Sequence, residues 1–411
     1  MRGSCYIFLV IMNLSLSAVL SAKPILNFQL GFLENVGNNS GAEASANPAY
    51  LARDVDRLQS RTATGLSASM KRTDVNLING DESFSGFVVS GQSGYSESGF
   101  DRNFGFGVSI EGNMTSAPVS GTSSNNPALQ FSSDNTINTF SANLAMGYRL
   151  NDQDSLGLRI QTSYNSESSQ ENGSLATYTN TVSKKSSLLG VGLAFSWLTV
   201  AKDSEFGVVV TLPGSVFASG DVTGNETSTA TGFPRSGNAA GSFQYFTPPT
   251  VGLGVSQQFF SFLTVYFDAT LTSPWTFSQT EFEYNTGTAY TLTGDQKSDA
   301  SLSTGAGISV ELNDDWTINT GARLSNAKTD NRLLTTDLTN QTLKDIKLSF
   351  FSFSSGVTYR INRLYLSSSL GISQIFVWQN RTQNLNSVFS QSNTTINQID
   401  LFLTMGVQYV F

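Results

Sequence analysis

Histidine is absent from the sequence, and cysteine occurs once, as Cys5. Without histidine the chain cannot form a Ser-His-Asp triad, a histidine-ligated zinc site or a histidine general base. Catalysis by carboxylates alone stays open, but no paired-carboxylate motif stands out in the sequence. We therefore expect no enzymatic activity, no metal site and no cofactor.

Charged residues are also scarce, at 13% of the 411 residues, and they leave a net charge of -8. A chain with this balance has nothing to neutralise a row of phosphates, so a nucleic-acid partner is not expected. The chain has 36 glycines, and serine, threonine and asparagine fill most polar positions. This composition is typical of a β-rich protein, and it also fits a transmembrane barrel, whose strands are apolar on one side only.

Residues 1–22 have the features of a secretory signal peptide. Arg2 supplies a positive charge, an apolar run extends from Tyr6 to Leu20, and the small residue Ala22 offers a cleavage site. The apolar run is too short and too interrupted to cross a membrane as a helix. Cleavage after Ala22 would remove Cys5, so the mature chain would have no cysteine and no disulfide.

Beyond residue 22 no long apolar run occurs, and apolar residues alternate instead with polar or small ones. In the last segment, every second residue from Leu401 to Phe411 is apolar, whereas Thr404, Gly406 and Gln408 lie between them. A period of two is that of a β-strand with one apolar face. Segments of about 9–11 residues have the length of a tilted transmembrane strand. The sequence therefore predicts an all-β, antiparallel transmembrane barrel.

About 14 segments follow this pattern, an even number that returns the chain to the periplasmic side. They are residues 61–72, 83–92, 101–112, 137–150, 154–166, 185–200, 204–213, 243–257, 261–273, 299–311, 315–326, 346–361, 363–377 and 398–411. Very short turns are expected at one end of the barrel, around 151–153, 201–203, 258–259, 313–314 and 362–363, and long polar loops at the other. The loops are 113–136, 167–185, 214–243, 273–298, 325–345 and 378–396.

A soluble β-sandwich would also alternate, with its apolar faces turned inward. Two features favour the membrane instead. Aromatic residues such as Trp197 and Trp316 lie near strand ends, as in the interfacial girdles of barrels. Short and long connections also sort to opposite ends, for which a sandwich has no reason. We expect residues 61–411 to form a barrel in the outer membrane, where closure removes every strand edge from hydrocarbon.

Residues 23–60 do not alternate, and a small plug (hatch) inside the lumen is the natural place for them. Within them, residues 41–52 are a run of small residues followed by Asn47, Pro48 and Ala49. This run resembles the hatch-to-barrel junction of the outer-membrane long-chain fatty-acid transporter family (FadL/TodX type). Residues 248–255 and 263–277, a strand that follows two prolines and a strand that leads to Trp275, are similar to a second part of that family.

The resemblance implies an outer-membrane channel for passive uptake of long-chain fatty acids or other hydrophobic small molecules. It also implies a hatch that shifts and a wall that opens sideways, so that an apolar ligand leaves into the membrane lipid. Apolar side chains on the expected loops would then contact an aromatic hydrocarbon or a fatty acid on its way in. The candidates are Phe217, Phe233, Phe277, Phe282, Tyr284 and Tyr290.

Three further residues have predicted roles. Asp268 and Arg159 fall on the polar faces of their strands, where they would form a charge network inside the lumen. Phe411 resembles the terminal aromatic that the barrel-assembly machinery reads, which makes that machinery an expected partner. Two alternatives to hydrophobic uptake stay open: a general porin, and a surface-exposed adhesin or receptor that uses the barrel as a passive base.

Overall fold

The structure is a computed structural model. It describes residues 46–53, 59–77, 80–98, 103–123, 126–175, 178–228, 234–278, 282–285, 289–335, 339–385 and 388–411. The predicted signal peptide 1–22 lies outside the described residues, and the predicted plug 23–60 is described only at 46–53 and 59–60. Among the described residues, no helix is both long enough and apolar enough to cross a membrane.

One 3₁₀ helix, Pro48–Ala52, precedes a series of strands in the described chain. The strands are β1 (Gln59–Leu77), β2 (Gly80–Ser98), β3 (Phe104–Ser123), β4 (Asn126–Arg149), β5 (Asp154–Leu175), β6 (Tyr178–Ala201), β7 (Ser204–Thr211), β8 (Ser215–Ser228), β9 (Pro234–Phe246), β10 (Thr250–Phe260), β11 (Leu263–Thr272), β12 (Trp275–Ser278), β13 (Phe282–Asn285), β14 (Ala289–Ser298), β15 (Ser301–Glu311), β16 (Trp316–Thr335), β17 (Thr339–Ile361), β18 (Leu364–Leu385) and β19 (Val388–Val410).

The strands form one antiparallel sheet that closes into a barrel, because β1 pairs with β2 on one side and with β19 on the other. Some barrel strands are interrupted along their length. For example, β7 and β8 form one barrel strand, since both pair with β6, one beside its second half and the other beside its first. The segments β9–β10, β11–β12–β13 and β14–β15 combine in the same way. The barrel therefore has 14 strands, which confirms the predicted fold.

The apolar faces point outward and the polar faces point into the lumen. On β11, Phe267 is 53% exposed, whereas its neighbour Asp268 is completely buried. The apolar residues that alternate along β19 are exposed in the same way, whereas Thr404 on its other face is buried. A soluble sandwich would bury these side chains, so the exposed apolar belt identifies an integral outer-membrane barrel.

Aromatic side chains pair on this outer surface near the short turns. The rings of Trp316 and Tyr359 stack at 4.4 Å, and those of Phe104 and Tyr148 lie 4.8 Å apart. Amphipathic rings at this level mark the boundary between hydrocarbon and water. This boundary is the periplasmic one, because short turns face the periplasm in barrels of this kind.

The expected connections are right at one end of the barrel and wrong at the other. Tight turns occur at 151–153, 202–203, 261–262, 312–315 and 362–363, close to their predicted places. The predicted long loops are instead mostly strand. For example, residues 113–136 include the ends of β3 and β4, which stay paired as far as Ser123 and Asn126. Alternation stops where lipid no longer covers the barrel, but backbone hydrogen bonds continue the ladder into the extracellular space.

Candidate functional site

A short segment of the chain, residues 46–53, lies inside the barrel near its periplasmic end. Its centre is the 3₁₀ helix Pro48–Ala52, in which all five residues are buried. Asn47 begins the helix by accepting a hydrogen bond from the Ala49 amide (3.0 Å) on its side-chain oxygen. Pro48 follows as the first helical residue, where its fixed φ suits a helix and its missing N–H leaves no donor unpaired. Asn47, Pro48 and Ala49, the predicted hatch-to-barrel junction, thus start this helix.

Polar side chains of the lumen wall hold the backbone of this segment. The Ala49 amide also donates to the Ser196 hydroxyl (3.0 Å), and the Ser155 hydroxyl donates to the Ala49 carbonyl (2.9 Å). The Arg159 guanidinium donates to the carbonyl of Ala46 (3.2 Å). Ser155 and Ser196 are buried, so these bonds form away from bulk water and are costly to leave unmade.

Glu205, at the start of β7, is the main charged anchor. Its carboxylate accepts a hydrogen bond from the Tyr50 hydroxyl (2.6 Å) and forms an ion pair with Arg53. The Ser256 hydroxyl of β10 donates to the same carboxylate (3.2 Å). One wall carboxylate therefore joins two side chains of the helix segment to a neighbouring strand.

Apolar contacts also hold residues 46–53 against the barrel wall. Leu51 packs against Ala145 of β4, and Ala49 and Tyr50 pack against Leu198 of β6. These wall residues are buried and lie on the lumen face. The segment thus has a small apolar core of its own inside the lumen.

Two glycines of the wall make room for the helix. Gly147 of β4 and Gly157 of β5 face each other across the ladder. An added Cβ at Gly147 would lie 2.8 Å from the Ala52 amide nitrogen, and one at Gly157 would lie 2.6 Å from the Pro48 carbonyl carbon. Both distances are shorter than a Cβ tolerates, so the helix can approach the wall this closely only where side chains are missing.

Asp268 and Arg159 both reach the lumen face, but they are far apart on the wall. Arg159 belongs to β5 and Asp268 to β11, and β6, β7 and β10 lie between these two strands. The cation nearest to Asp268 in register is Arg323 of β16, because Gly305 of β15 pairs with Asp268 on one side and with Arg323 on the other. Both Asp268 and Arg323 are buried. The predicted charge network remains a prediction, and register favours Arg323 over Arg159 as the partner of Asp268.

The candidate ligand residues that the structure describes do not lie on loops, which corrects the expectation from sequence. Phe217 lies in β8, Phe277 in β12, Phe282 and Tyr284 in β13, and Tyr290 in β14, whereas Phe233 lies outside the described residues. Polar, weakly alternating stretches were expected to leave the sheet, yet their backbones remain in ladders above the membrane. Phe217 is exposed on the outer face of β8.

Phe411 follows β19 at the periplasmic rim, where it is exposed and its ring meets that of Tyr409 edge-on at 4.8 Å. Its part in barrel assembly stays a prediction. In the described chain, no group of three or more Cys, Asp or Glu side chains is placed to hold a metal ion.

The Asn-Pro-Ala junction could be recognised in the sequence, but the wall residues that contact it could not. Glu205 is a single acidic residue beside a turn, and its sequence context carries no motif. Gly157 and Ser196 could have been assigned to the lumen face from alternation, because each lies between apolar residues. Ser155 is two residues before Gly157 and so falls on the same face. Their contact with residues 46–53 depends on strand register, which the sequence does not reveal.

No protein-family model matches the chain, and no curated protein matches it by sequence. Several solved structures, however, are similar to it in fold. The Pseudomonas putida toluene transporter TodX is similar over 94% of this chain and 98% of its own, with a TM-score of 0.64 and 12% identity. A Pseudomonas aeruginosa FadL homologue covers the same shares, with a TM-score of 0.61 and 13% identity.

A third structure, the CymD monoaromatic hydrocarbon channel, covers 95% of this chain and 97% of its own, with a TM-score of 0.56 and 12% identity. The three similarities extend over nearly the whole length of both chains, so they concern the complete barrel and not a shared hairpin. The chain therefore has the 14-stranded barrel fold of the FadL and TodX kind.

Proposed function

We propose that the chain is a passive outer-membrane channel for hydrophobic small molecules, in which residues 46–53 belong to a plug within 23–60. The observation that supports it best is the fixed position of these residues in the lumen. A general porin needs an open aqueous lumen, whereas here Ser155, Ser196 and Glu205 hold a chain segment across the periplasmic part of the wall.

The fold supports the proposed class of solute. Two of the similar structures are described as a toluene transporter and a monoaromatic hydrocarbon channel, and a third as a FadL homologue. We therefore propose aromatic hydrocarbons or long-chain fatty acids as ligands. Passive diffusion needs no coupling to an energy source, so a barrel wall and a plug are sufficient for it.

Release sideways into the membrane follows from the physics of such ligands. Each CH₂ group that leaves an apolar site for water loses about 0.8 kcal/mol, so a long acyl chain would strongly resist an aqueous exit. We propose that movement of the plug opens a path from lumen to lipid, so that the ligand avoids this cost.

Uptake is the direct test of the function. Cells that express the chain should take up radiolabelled toluene or oleate faster than cells without it. An adhesin or receptor would leave uptake unchanged in this comparison. Equal uptake of both probes in the two strains would contradict the proposal.

Conductance in a planar lipid bilayer tests the plug and separates the channel from a general porin. Deletion of 23–60 should raise the conductance, because the deletion removes the residues that occupy the lumen. An unchanged conductance would indicate a mobile N-terminal segment beside an already open pore. The control is the full mature chain, refolded in the same lipid.

A further inference from the structure

Two lysines lie side by side on the outer face of the barrel, on neighbouring strands. Lys328 of β16 pairs in register with Lys347 of β17. Their orientation follows from alternation, because the exposed apolar residues Leu324 on β16 and Phe351 on β17 are an even number of residues away. Both lysines therefore point away from the lumen, and we call them the lysine pair.

The lysine pair is electrostatically unfavourable by itself. Side chains directly opposite each other on antiparallel strands have Cβ atoms about 4.5–5.5 Å apart, and like charges in this position repel. The Asp299 carboxylate lies 3.9 Å from the Lys328 ammonium, and these two side chains are 54% and 41% exposed, so solvent screens their attraction. Over these three side chains one positive charge remains in excess. The lysine pair thus favours an anion as a further partner.

A tryptophan lies directly beside the lysine pair. Trp378 of β18 pairs in register with Lys347, and the Lys347 ammonium lies 5.2 Å from the centre of its ring. The ring attracts the cation and so favours this position of the lysine side chain. Tryptophan is also enriched where membrane hydrocarbon meets the polar headgroups. Three neighbouring strands therefore present two cations and an interfacial aromatic in one row.

The height of this row above the periplasmic boundary matches the outer-leaflet headgroups. At the periplasmic end the same two strands carry Trp316 and Tyr359, which also pair in register. From there each strand continues for about 12 residues to the lysine pair, which at ~3.4 Å per residue and a tilt of about 40° is a rise of about 31 Å. The lipid-facing band of a barrel is about 25 Å tall, so the lysine pair lies just beyond its upper edge.

The side chains below the lysine pair show the same boundary. On the outer face, Leu324 and Phe351 form an exposed apolar row, and Asn326 and Ser349 form the next row above it. The lysine pair follows as the row after that. The outer face thus changes from apolar to polar to cationic along these two strands, as expected where hydrocarbon gives way to lipid phosphates.

A β-bulge in β17 lies directly above the lysine pair. The pairing of β17 with β18 shifts by one residue between Lys344 and Lys347. Its pairing with β16 shifts at the same level, between Thr329 and Asn331. Bulges bend a strand and re-aim its side chains, and they are common beside functional sites. The regular wall therefore ends at the lysine pair, which sets this level apart from the rest of the two ladders.

From these observations we propose that the lysine pair and Trp378 bind the phosphorylated headgroup of an outer-leaflet lipid. The two ammonium groups donate to phosphate oxygens, and the acyl chains lie along the apolar row of Leu324 and Phe351. A free anion would gain from the charges alone, whereas a lipid also covers the apolar row, so the surface fits a lipid better. Lipid A, the phosphorylated glycolipid of the outer leaflet, has both parts.

This inference does not depend on the proposed transport, because it concerns the outer face of the barrel and not the lumen. Binding of lipid A to the full mature chain in detergent tests it, and native mass spectrometry measures the bound lipid at increasing lipid A concentration. Lys328→Gln/Lys347→Gln removes both charges and keeps long polar side chains. Attraction to anionic lipid amounts to about five-fold in affinity per lysine, so the double variant should bind on the order of 30-fold more weakly.

Lys185→Gln/Lys202→Gln is the matched control. It removes the same charge from two exposed lysines elsewhere, one on β6 and one in the periplasmic turn that follows β6. This variant should bind lipid A as the unsubstituted protein does, and Lys328→Arg/Lys347→Arg should also retain binding because it keeps both charges. Equal losses in the two glutamine variants would overturn the site, since a general attraction between the chain and anionic lipid would explain them. Unchanged binding by Lys328→Gln/Lys347→Gln would overturn it as well.

Two further probes identify what the lysine pair binds. Monophosphoryl lipid A, which has one phosphate fewer, should bind the unsubstituted protein more weakly than lipid A, whereas Lys328→Gln/Lys347→Gln should not distinguish the two lipids. Inorganic phosphate at millimolar concentration should leave lipid A bound. Displacement by inorganic phosphate would indicate a site for a free anion, and the lipid would then be the wrong partner. A heat-modifiable band on SDS gels confirms that each variant is folded.

Discussion

Gly147 on β4 and Gly157 on β5 lie directly opposite each other on the lumen wall, beneath the 3₁₀ helix that begins at Pro48. Because neither residue has a side chain, the helix packs directly against the backbones of the two strands. This contact is sensitive to the smallest substitution, because one added methyl group would occupy the space of the helix backbone.

Gly157→Ala should therefore displace residues 46–53 and leave the barrel intact. The new Cβ would lie 2.6 Å from the carbonyl carbon of Pro48, whereas alanine fits the strand itself without strain. We expect a higher conductance in planar bilayers than for the unsubstituted protein. Gly192→Ala on β6 is the control, since a Cβ there meets no atom within 4 Å. Equal conductance of the two variants would show that the helix does not restrict the lumen.

Glu205→Gln should loosen the same segment by another route. The substitution removes the ion pair with Arg53 and weakens the bond from the Tyr50 hydroxyl. Hydrogen bonds to a charged group contribute about 1.5–3 kcal/mol, so release of the segment should become on the order of 10- to 100-fold more frequent. Tryptic cleavage after Arg53, followed by mass spectrometry, measures this release.

Asp203→Asn is the matched control for that experiment. It removes one negative charge two residues away, at an exposed position of the turn between β6 and β7. Its cleavage rate should equal that of the unsubstituted protein. If Glu205→Gln is cleaved no faster than Asp203→Asn, Glu205 does not anchor the segment.

The membrane-embedded part of the fold could be predicted from sequence because lipid imposes a simple rule on it. Every second residue must be apolar, so the strands between Phe104 and Phe411 stand out by their period. One exception also has a physical reason. Phe402 is apolar but faces the lumen, where its ring lies over Gly371, its partner on β18. An aromatic ring over a glycine fills the space that the missing side chain leaves.

The extracellular part could not be predicted in the same way, because water contacts both faces of a strand there. Residues 167–174, for example, carry no apolar side chain on either face, yet they remain paired in β5.

Arginine substitutions on the outer surface test which part of the barrel lies within the lipid. Phe267 is exposed in the middle of β11, whereas Leu312 is exposed in a periplasmic turn. Phe267→Arg should lower the free energy of unfolding by about 2–4 kcal/mol, because it brings arginine into the lipid midplane. Leu312→Arg should lower it by only about 0–1 kcal/mol, since this position lies at the interface. Urea titrations in lipid vesicles give both values, and similar costs would contradict the assigned membrane belt.

The last prediction concerns Asp268 and Arg323, which flank Gly305 inside the wall. Both side chains are buried, and the residue between them in register is a glycine, which has no side chain of its own. If the two charges compensate each other, Asp268→Asn or Arg323→Met alone should cost about 3–5 kcal/mol, because each leaves an uncompensated buried charge. The double variant should then cost less than the sum of the two single variants.

A double-mutant cycle in the same urea titrations measures this coupling, and Arg159 provides the comparison. Arg159 lies on β5, with three barrel strands between it and β11, and it donates to the Ala46 carbonyl. The effects of Arg159→Met and Asp268→Asn should therefore add, as they do for distant sites. Coupling of Asp268 to Arg159 but not to Arg323 would restore the pairing expected from sequence. It would also mean that register across Gly305 does not decide which charges meet in this lumen.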